Sequence, residues 1–230
     1  LAAQLFRPYF PQEVKDMIAG IIAGNRSRRP AWFIVEDDLY FMTSLVDLRG
    51  IVDGFITCSR IAAWGPHTVD GKMFQTRCVD LFTGSGLENH TLVTVEKRDG
   101  KVPFANCGWS GMLGAISGMN AHGVAIGQVW AFSADRAFGV PWGLTTRRIM
   151  EDAVNSDDAV RIFSSETRRT YGSNFVFGDK GDGRGGTPRA YGVESSAQLL
   201  ATFADNDPKE DQAIVQTPNG PECYAVKVPY

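Results

Sequence analysis

Three turn signals, each lying between two runs of strand-forming residues, constrain the fold of this chain more than any other feature of its sequence. The turns are Asp70-Gly71, Asp99-Gly100 and the tetrapeptide that begins at Asn120 and ends at Gly123. The runs beside them are residues 58–63 and 73–79, 91–96 and 102–107, and 112–117 and 124–130. Turns of this composition supply the positive φ angles that tight hairpins need. From residue 58 onward the sequence therefore predicts antiparallel hairpins.

Residues 1–57 have a different pattern, which predicts helices. Pro11 suits the first turn of a helix, and the apolar residues that follow fall on one face. They are Val14, Met17, Ile18, Ile21 and Ile22. A polar loop is predicted for residues 25–29, and a second helix opens with the acidic residues 36–38, which suit the positive end of a helix dipole. Asp53-Gly54 predicts a turn before Cys58.

The last part of the chain adds helices and further strands. Residues 142–154 and 157–164 are predicted to be helical, with Ser156 as the N-cap of the second helix. Residues 174–178 and 189–195 are predicted strands around the Gly-rich loop 181–186, which lacks the Lys-Ser/Thr of a phosphate-binding loop. Helices, hairpins, two helices and more strands, in that order, predict an α+β domain of antiparallel sheets.

Composition excludes several classes of function. The formal net charge of -3 over 230 residues gives no electrostatic case for nucleic acid. No apolar run approaches the length of a membrane span, so none is predicted. The 4 cysteines are too few and too scattered for a disulfide scaffold, and no spacing indicates a metal site. The compartment stays open.

The most informative stretch begins at Cys58 and ends at Asp80. A cysteine that opens a strand, a hairpin, and a returning strand with Arg77 and Asp80 would bring the thiol beside that arginine and aspartate. This arrangement resembles the acyl-coenzyme A:isopenicillin N acyltransferase family, and more distantly penicillin V acylases and choloylglycine (bile-salt) hydrolases. These are N-terminal-nucleophile (Ntn) enzymes.

Further segments resemble the same family in the same order. They are residues 111–125, which match its central hairpin, residues 139–150, which match a helix entrance, and residues 171–179, which match a later active-site strand. The resemblance spans about residues 54–207. It implies a four-layer αββα Ntn-hydrolase sandwich at residues 58–230, preceded by a helical prosegment at residues 1–57.

The available bases favour the same chemistry. A cysteine nucleophile normally needs an adjacent base, and His67, His90 and His122 are the chain's only histidines, all in or beside predicted turns or loops. An N-terminal cysteine has its own α-amino group, with a pKa of about 7.7–8.0, to accept the thiol proton. That amine exists only after the bond between Thr57 and Cys58 is cut.

The resemblance implies roles for individual residues. Cys58 would be the nucleophile and, through its amine, the base, while Asp80 would orient that amine. Arg77 would stabilise the thiolate or anchor a substrate carboxylate, and Asn174 would donate to the oxyanion. Residues 127–130, which end at Trp130, would line the substrate pocket. The implied activity is hydrolysis or acyl transfer at a linear amide through a thioester on Cys58, with a small-molecule amide or acyl-thioester substrate and without metal or organic cofactor.

Structural alternatives remain for these residues. Arg77 and Asp80 could form an ordinary ion pair, Asn174 could satisfy a buried backbone group, and Trp130 could belong to the core, as could Trp109 and Trp142. For the whole chain, the alternatives are a phospholipase B-like or lipid-amide hydrolase of the same fold, and a catalytically silent binding domain.

The sequence departs from the family pattern in three places. Thr57 stands where glycine is usual, so slower self-cleavage is expected, since a β-branched residue resists the strained approach of the thiol. Cys78 replaces the usual asparagine. Family members extend beyond the position of Tyr230, so the catalytic domain is expected to be C-terminally incomplete or completed by a second chain, with a homo-oligomer also open.

Overall fold

A computed structural model describes most of the chain. The described residues are 2–28, 34–52, 57–80, 84, 86–182, 185–205, 207, 214–217 and 220–223. The predicted turn at Asp53-Gly54, part of the Gly-rich loop and the stretch that ends at Tyr230 lie outside them. For Ala2, Thr57 and residues 214–217 and 220–223 the backbone alone is described.

Helices precede and interrupt the strands, as predicted. The α-helices are α1 (Ala2–Phe6), followed by a 3₁₀ turn (Arg7–Tyr9), α2 (Gln12–Arg28), α3 (Glu36–Val52), α4 (Trp142–Asp152) and α5 (Ser156–Ser165). The strands are β1 (Thr57–Gly65), β2 (Gly71–Asp80), β3 (Thr91–Glu96), β4 (Phe104–Trp109), β5 (Ser117–Asn120), β6 (Ala125–Trp130), β7 (Ser173–Asp179), β8 (Arg189–Ser195), β9 (Leu200–Phe203), β10 (Ile214–Thr217) and β11 (Gly220–Cys223).

Strands β3 to β9 form one antiparallel sheet in sequence order, and β1 pairs with β2 as a separate hairpin. The α+β class with antiparallel sheets is therefore confirmed. One predicted strand is wrong: of residues 112–117, Ser117 alone is in a strand, the first residue of β5. The stretch before it is irregular because the side chain of Asn106 accepts hydrogen bonds from the Ile116 and Ser117 amides at 2.8 and 3.3 Å.

The described residues form three layers. Helices α4 and α5 cover one face of the seven-stranded sheet, where Phe175 and Phe177 pack against Phe163. The β1–β2 hairpin lies on the other face, over β6 and β7. On the outer side of this hairpin Ile61 and Phe74 are 69% and 60% exposed, so the described residues place no outer helical layer there.

The N-terminal helices form a second apolar core, which also includes residues that follow Cys58 in the sequence. The buried positions of α2 are Val14, Ile18 and Ile22, whereas Ile21 is exposed. Together with residues of α1 and α3 they pack against Val140 and Leu144. The prediction of a polar loop at residues 25–29 is wrong for residues 25–28, because α2 continues to Arg28. The helical N-terminal part is thus joined to the sheet domain by a shared core.

The cap of α5 also differs from the prediction. Asn155, and not Ser156, is the N-cap residue, and its side-chain oxygen accepts a hydrogen bond from the Asp158 amide at 2.9 Å. Ser156 instead donates its own amide to the buried carboxylate of Asp179 at 2.7 Å. Both residue types suit an N-cap, so composition alone does not choose between neighbours.

Asp47 fixes α3 to the sheet domain from within the interface. Its side chain is 1% exposed, and one oxygen accepts hydrogen bonds from Thr170 Oγ1 at 2.7 Å and the Trp142 amide at 3.1 Å. Burial raises the pKa of Asp47 to about 7, against the lowering effect of these two hydrogen bonds. Asp47 should therefore be protonated at mildly acidic pH and ionised above about pH 7.

The position of Asp47 predicts a pH-dependent stability. Its pKa is higher in the folded chain than in the unfolded one, so this contribution is complete below about pH 4 and lost as the pH rises through about 7. Asp47→Asn keeps an acceptor oxygen without a charge and should unfold at a higher urea concentration than wild type at pH 8, and the difference should shrink steadily as the pH falls to about 4. Asp16→Asn, at an exposed position on α2, is the matched control. Equal pH dependence in wild type and Asp47→Asn would contradict the assignment.

Candidate active site

The β1–β2 hairpin directs two arginines and a thiol toward the large sheet. In its register Cys58 lies opposite Val79, and Arg60 lies opposite Arg77. Successive strand residues face opposite sides, and burial along β2 alternates accordingly. Arg77 Nε donates to the Gln128 carbonyl oxygen at 2.9 Å, and Arg60 Nη1 donates to the Gly127 carbonyl oxygen at 3.4 Å. Both guanidinium groups therefore lie between the hairpin and β6.

Among the described side chains, that of Arg77 makes a hydrogen-bond contact with the candidate nucleophile, Cys58. Its Nη2 lies 3.5 Å from Cys58 Sγ and 3.3 Å from Gln128 Oε1, and its Nη1 lies 3.4 Å from Ser117 Oγ. Burial lowers the pKa of Arg77, while the nearby Cys58 sulfur acts in the opposite direction. A guanidinium in this position can stabilise a thiolate.

Gln128 holds Arg77 in place from the sheet side. It is 1% exposed, and its amide nitrogen donates to Ser173 Oγ at 2.9 Å while its amide oxygen accepts from Arg77. Ser173 is itself buried at the start of β7. Because each side chain in this chain of contacts has a buried partner, the guanidinium is fixed before any substrate binds.

Asp80 is not brought into contact with Cys58. It ends β2 opposite Thr57, and its side chain is exposed on the side of the hairpin that points away from the sheet. Strand alternation accounts for this placement, because Arg77 and Asp80 are three residues apart and so face opposite sides. The ion pair considered as a structural alternative is not present between the two described side chains.

Asn174 lies on the sheet face that the hairpin covers. It pairs with Val129 on β6 and Glu194 on β8 and is half-buried, whereas its neighbours Ser173 and Phe175 are buried toward the helices. The backbone of Val176, two residues further on, accepts a hydrogen bond from Gln75 of β2 at 3.4 Å. Asn174 and Cys58 thus lie on the two sides of one interface, that between the large sheet and the hairpin.

Trp130 ends β6 and packs partly into the core. Its ring makes an edge-to-face contact with Phe132, with centroids 6.5 Å apart. Its indole Nε1 is buried and has no hydrogen-bond acceptor among the described residues. Trp142, in contrast, is core: it is 5% exposed and donates to Tyr171 Oη at 3.0 Å.

A large groove runs beside the hairpin over β3, β4 and β5. It has a volume of about 1230 Å³, and Arg77 and Ser117 lie on its wall. Most of its lining is apolar. The apolar residues include Phe74, Val79, Leu92, Val93, Trp109 and Met119. The groove offers space for a long apolar group next to the arginine that contacts Cys58.

The histidines lie away from this cluster. His67 is at the hairpin tip, beyond the far end of β1, more than about 20 Å along the strand from Cys58. His122 is in the turn before β6, about 20 Å along the chain from Gln128. His90 precedes β3, which is three strands away from β6 in the large sheet. In the described part of the chain no group of acidic, cysteine and histidine side chains could hold a metal ion, and no helix is long and apolar enough to cross a membrane.

Sequence reasoning missed three residues of this cluster and the main contact of a fourth. Arg60 lies in the stretch from Cys58 to Asp80, and Ser117 and Ser173 lie in the segments 111–125 and 171–179, but none of the three was given a role. Gln128 was expected only among the pocket-lining residues 127–130, and not as the partner of Arg77. For Arg60 part of the signal was available, because it follows Cys58 by two residues and strand alternation puts it on the same face. Its place opposite Arg77 depends on the longer loop between Gly65 and Gly71, which the Asp70-Gly71 signal does not give. Gln128 depends on the packing of one sheet on another, which a single sequence does not give.

No match was found among curated protein sequences. Among solved structures, the chain is similar to a Caenorhabditis elegans N-acylethanolamine-hydrolyzing acid amidase ortholog, with 14% sequence identity and a TM-score of 0.49. The similarity covers 66% of this chain and 64% of that one, so the chain spans less than two thirds of that protein's length.

A family model gives the clearer result. The model of acyl-coenzyme A:6-aminopenicillanic acid acyl-transferase matches residues 67–184, just over half of the chain. The matched stretch begins after Cys58 and contains Arg77, Asp80 and Asn174. It confirms the family inferred from the sequence motifs: the chain belongs to the acyl-coenzyme A:6-aminopenicillanic acid acyl-transferase family.

Proposed function

We propose that the protein is a self-processing cysteine amide hydrolase or acyltransferase whose nucleophile is Cys58. The observation that carries this proposal is the 3.5 Å contact between Arg77 Nη2 and Cys58 Sγ, on a face covered by the large sheet. Membership of an acyl-transferase family supports hydrolase or acyltransferase chemistry. The distance of all three histidines from the thiol supports an α-amino group as the base.

The first reaction of this proposal is self-cleavage. The Cys58 sulfur attacks the Thr57 carbonyl carbon, a carbon–sulfur bond forms and the Thr57–Cys58 carbon–nitrogen bond breaks, and the thiol proton passes to the departing Cys58 nitrogen. Cys58 thus gains a free amine, and water then opens the thioester to give the Thr57 carboxylate and the thiol. The proposed boundary between prosegment and catalytic domain is this bond. The shared core and Asp47 support a helical fragment that stays bound after the cut.

Turnover repeats this chemistry on a substrate. The free amine takes the thiol proton, the sulfur attacks the amide carbonyl, and the leaving amine takes the proton as the carbon–nitrogen bond breaks. Water or an acceptor amine then releases the acyl group. In this proposal Arg77 stabilises the sulfur, Asn174 donates to the oxyanion and Trp130 contacts the substrate. The volume and apolar lining of the groove beside Arg77 support a lipid acyl group and hence a lipid amide as substrate.

The proposal is tested by the intact mass of the purified chain together with an assay of amide and ester hydrolysis. We expect a cut before Cys58 and release of the acyl group from amides faster than from matched esters. A chain that stays whole while it hydrolyses amides would contradict the Ntn mechanism. A chain that stays whole and inert would favour the silent binding domain.

Asp80 has a specific place in this proposal, namely to hold the amine that cleavage frees. Asp80→Asn should reduce processing or turnover by more than about tenfold, a typical effect of losing a proton-transfer partner, while the fold survives. The exposed Asp16→Asn on α2 is a control of the same chemistry. Near-normal rates in Asp80→Asn would remove Asp80 from the site and agree with its outward direction in the uncut chain.

A further inference from the structure

Arg60 and Arg77 form a pair of like charges on the face of the hairpin that the sheet covers. They are directly opposite each other in the β1–β2 register, an arrangement that destabilises a hairpin when the two residues carry the same charge. Both are half-buried under the hairpin, where burial lowers the pKa of each guanidinium. A costly pair retained next to a thiol indicates a role beyond packing.

The two arginines differ in how fully they are bound. Arg77 makes four contacts, with Cys58, Ser117 and two atoms of Gln128. The guanidinium group of Arg60 has five N–H donors. Within the described part of the chain, its only hydrogen bond is the long one to the Gly127 carbonyl oxygen at 3.4 Å. Glu194 on β8 acts on Arg60 through its charge, without an ion pair between them among the described contacts. Arg60 therefore keeps donors free for an anion.

The position of Arg60 fixes which part of a substrate it would meet. It follows Cys58 by two residues on the same face of β1, about 7 Å along the strand. The apolar groove lies on the β2 side of the hairpin and is lined by Arg77 but not by Arg60, which is near Gly127 and Glu194. An acyl chain in the groove would leave the amine portion of the substrate on the Arg60 side.

We propose that Arg60 binds a carboxylate on the amine portion of the substrate, which makes N-acyl amino acids the preferred amides of this site. The inference rests on the proposed function and adds a specificity determinant to it. A guanidinium suits this group because its planar donors match the two oxygens of a carboxylate. Arg60 acts on binding and orientation, while Arg77 acts on the sulfur.

The test compares three amides on the full chain: N-octanoylglycine, the uncharged N-octanoylpropylamine, and N-hexylsuccinamic acid, whose carboxylate is on the acyl side. We expect wild type to prefer N-octanoylglycine in kcat/KM by about tenfold or more, the usual weight of one charge-assisted contact. Arg60→Gln should reduce this ratio by about tenfold, Arg60→Lys should keep part of it, and Glu194→Gln should increase it. Arg161→Gln, at an exposed position on α5, should keep the wild-type ratio.

Binding to Cys58→Ala, measured by titration calorimetry, separates this inference from the proposed function. Adding Arg60→Gln to that protein should weaken its affinity for N-octanoylglycine about tenfold and leave that for N-octanoylpropylamine nearly constant. If wild type hydrolyses none of the amides but this difference in binding is found, the proposed function fails and the Arg60 site stands. Turnover without a preference for N-octanoylglycine, or with one for N-hexylsuccinamic acid, overturns the Arg60 site and leaves the proposed function intact.

Discussion

Replacing Cys58 with alanine is expected to leave a full-length chain that hydrolyses no amide substrate, whereas wild type is expected to separate residues 1–57 from a fragment that begins with Cys58. The reason is that the proposed mechanism uses one sulfur for both reactions, so its removal should abolish both rather than slow one. Intact mass after long incubation, with an amide hydrolysis assay on the same samples, measures both outcomes.

The neighbouring cysteine supplies a matched control. Cys78 lies on β2 and is exposed, on the outer side of the hairpin. Cys78→Ala removes one thiol from the same hairpin and should process and turn over as wild type does. If Cys58→Ala were cut at the wild-type rate, Cys58 would not be the nucleophile of self-cleavage.

Two milder variants resolve the cleavage step itself. Cys58→Ser should be cut slowly, because a hydroxyl is a much poorer nucleophile than a thiol at neutral pH. Thr57→Gly should be cut faster than wild type if the β-branched side chain is the obstacle to attack on its own carbonyl. Equal rates for Thr57→Gly and wild type would show that the backbone is already placed for attack.

The sequence predicted those parts of the fold that depend on local patterns. Asp70-Gly71 and Asp99-Gly100 each lie between the strands expected of them, because such dipeptides favour chain reversal. The connections are longer than two-residue turns, since Gly65 pairs with Gly71 and Glu96 pairs with Phe104, so the turn signals did not give the register. The stretch 112–117 failed for the opposite reason. Its apolar residues suit a strand, but Asn106 binds the Ile116 and Ser117 amides and holds the stretch in an irregular path.

In the candidate site, too, the features that depend on local sequence patterns were predicted, and those that depend on packing between distant residues were not. Arg77 beside Cys58 was expected from the hairpin alone, since both residues are on two paired strands. The outward direction of Asp80 follows from strand alternation, because Asp80 is three residues from Arg77 on the same strand. Of the two residues expected beside the thiol, Arg77 is therefore the one within hydrogen-bond distance of Cys58. Gln128 and Ser173 come from the sheet beneath, and their part depends on packing between layers.

Replacing Asn174 with alanine is expected to lower the rate of the chemical step by roughly 10²–10³, the usual effect of losing one oxyanion donor. The reason is that Asn174 is half-buried on the sheet face under the hairpin, at the interface between the sheet and the hairpin strand that carries Cys58. The amide would meet the substrate oxygen as negative charge develops on it. An interaction made only in the transition state lowers kcat and kcat/KM equally, so KM should stay constant.

Single-turnover kinetics on the processed protein is the measurement that isolates this step. Asn89→Ala, at an exposed position, is the control for loss of an amide side chain. Thermal unfolding of each variant separates a catalytic loss from a structural one, because an asparagine that served only a buried backbone group would lower stability and leave the rate of the folded fraction near that of wild type. A rate within about threefold of wild type, with reduced stability, would assign Asn174 to the fold and leave the oxyanion to donors from the backbone.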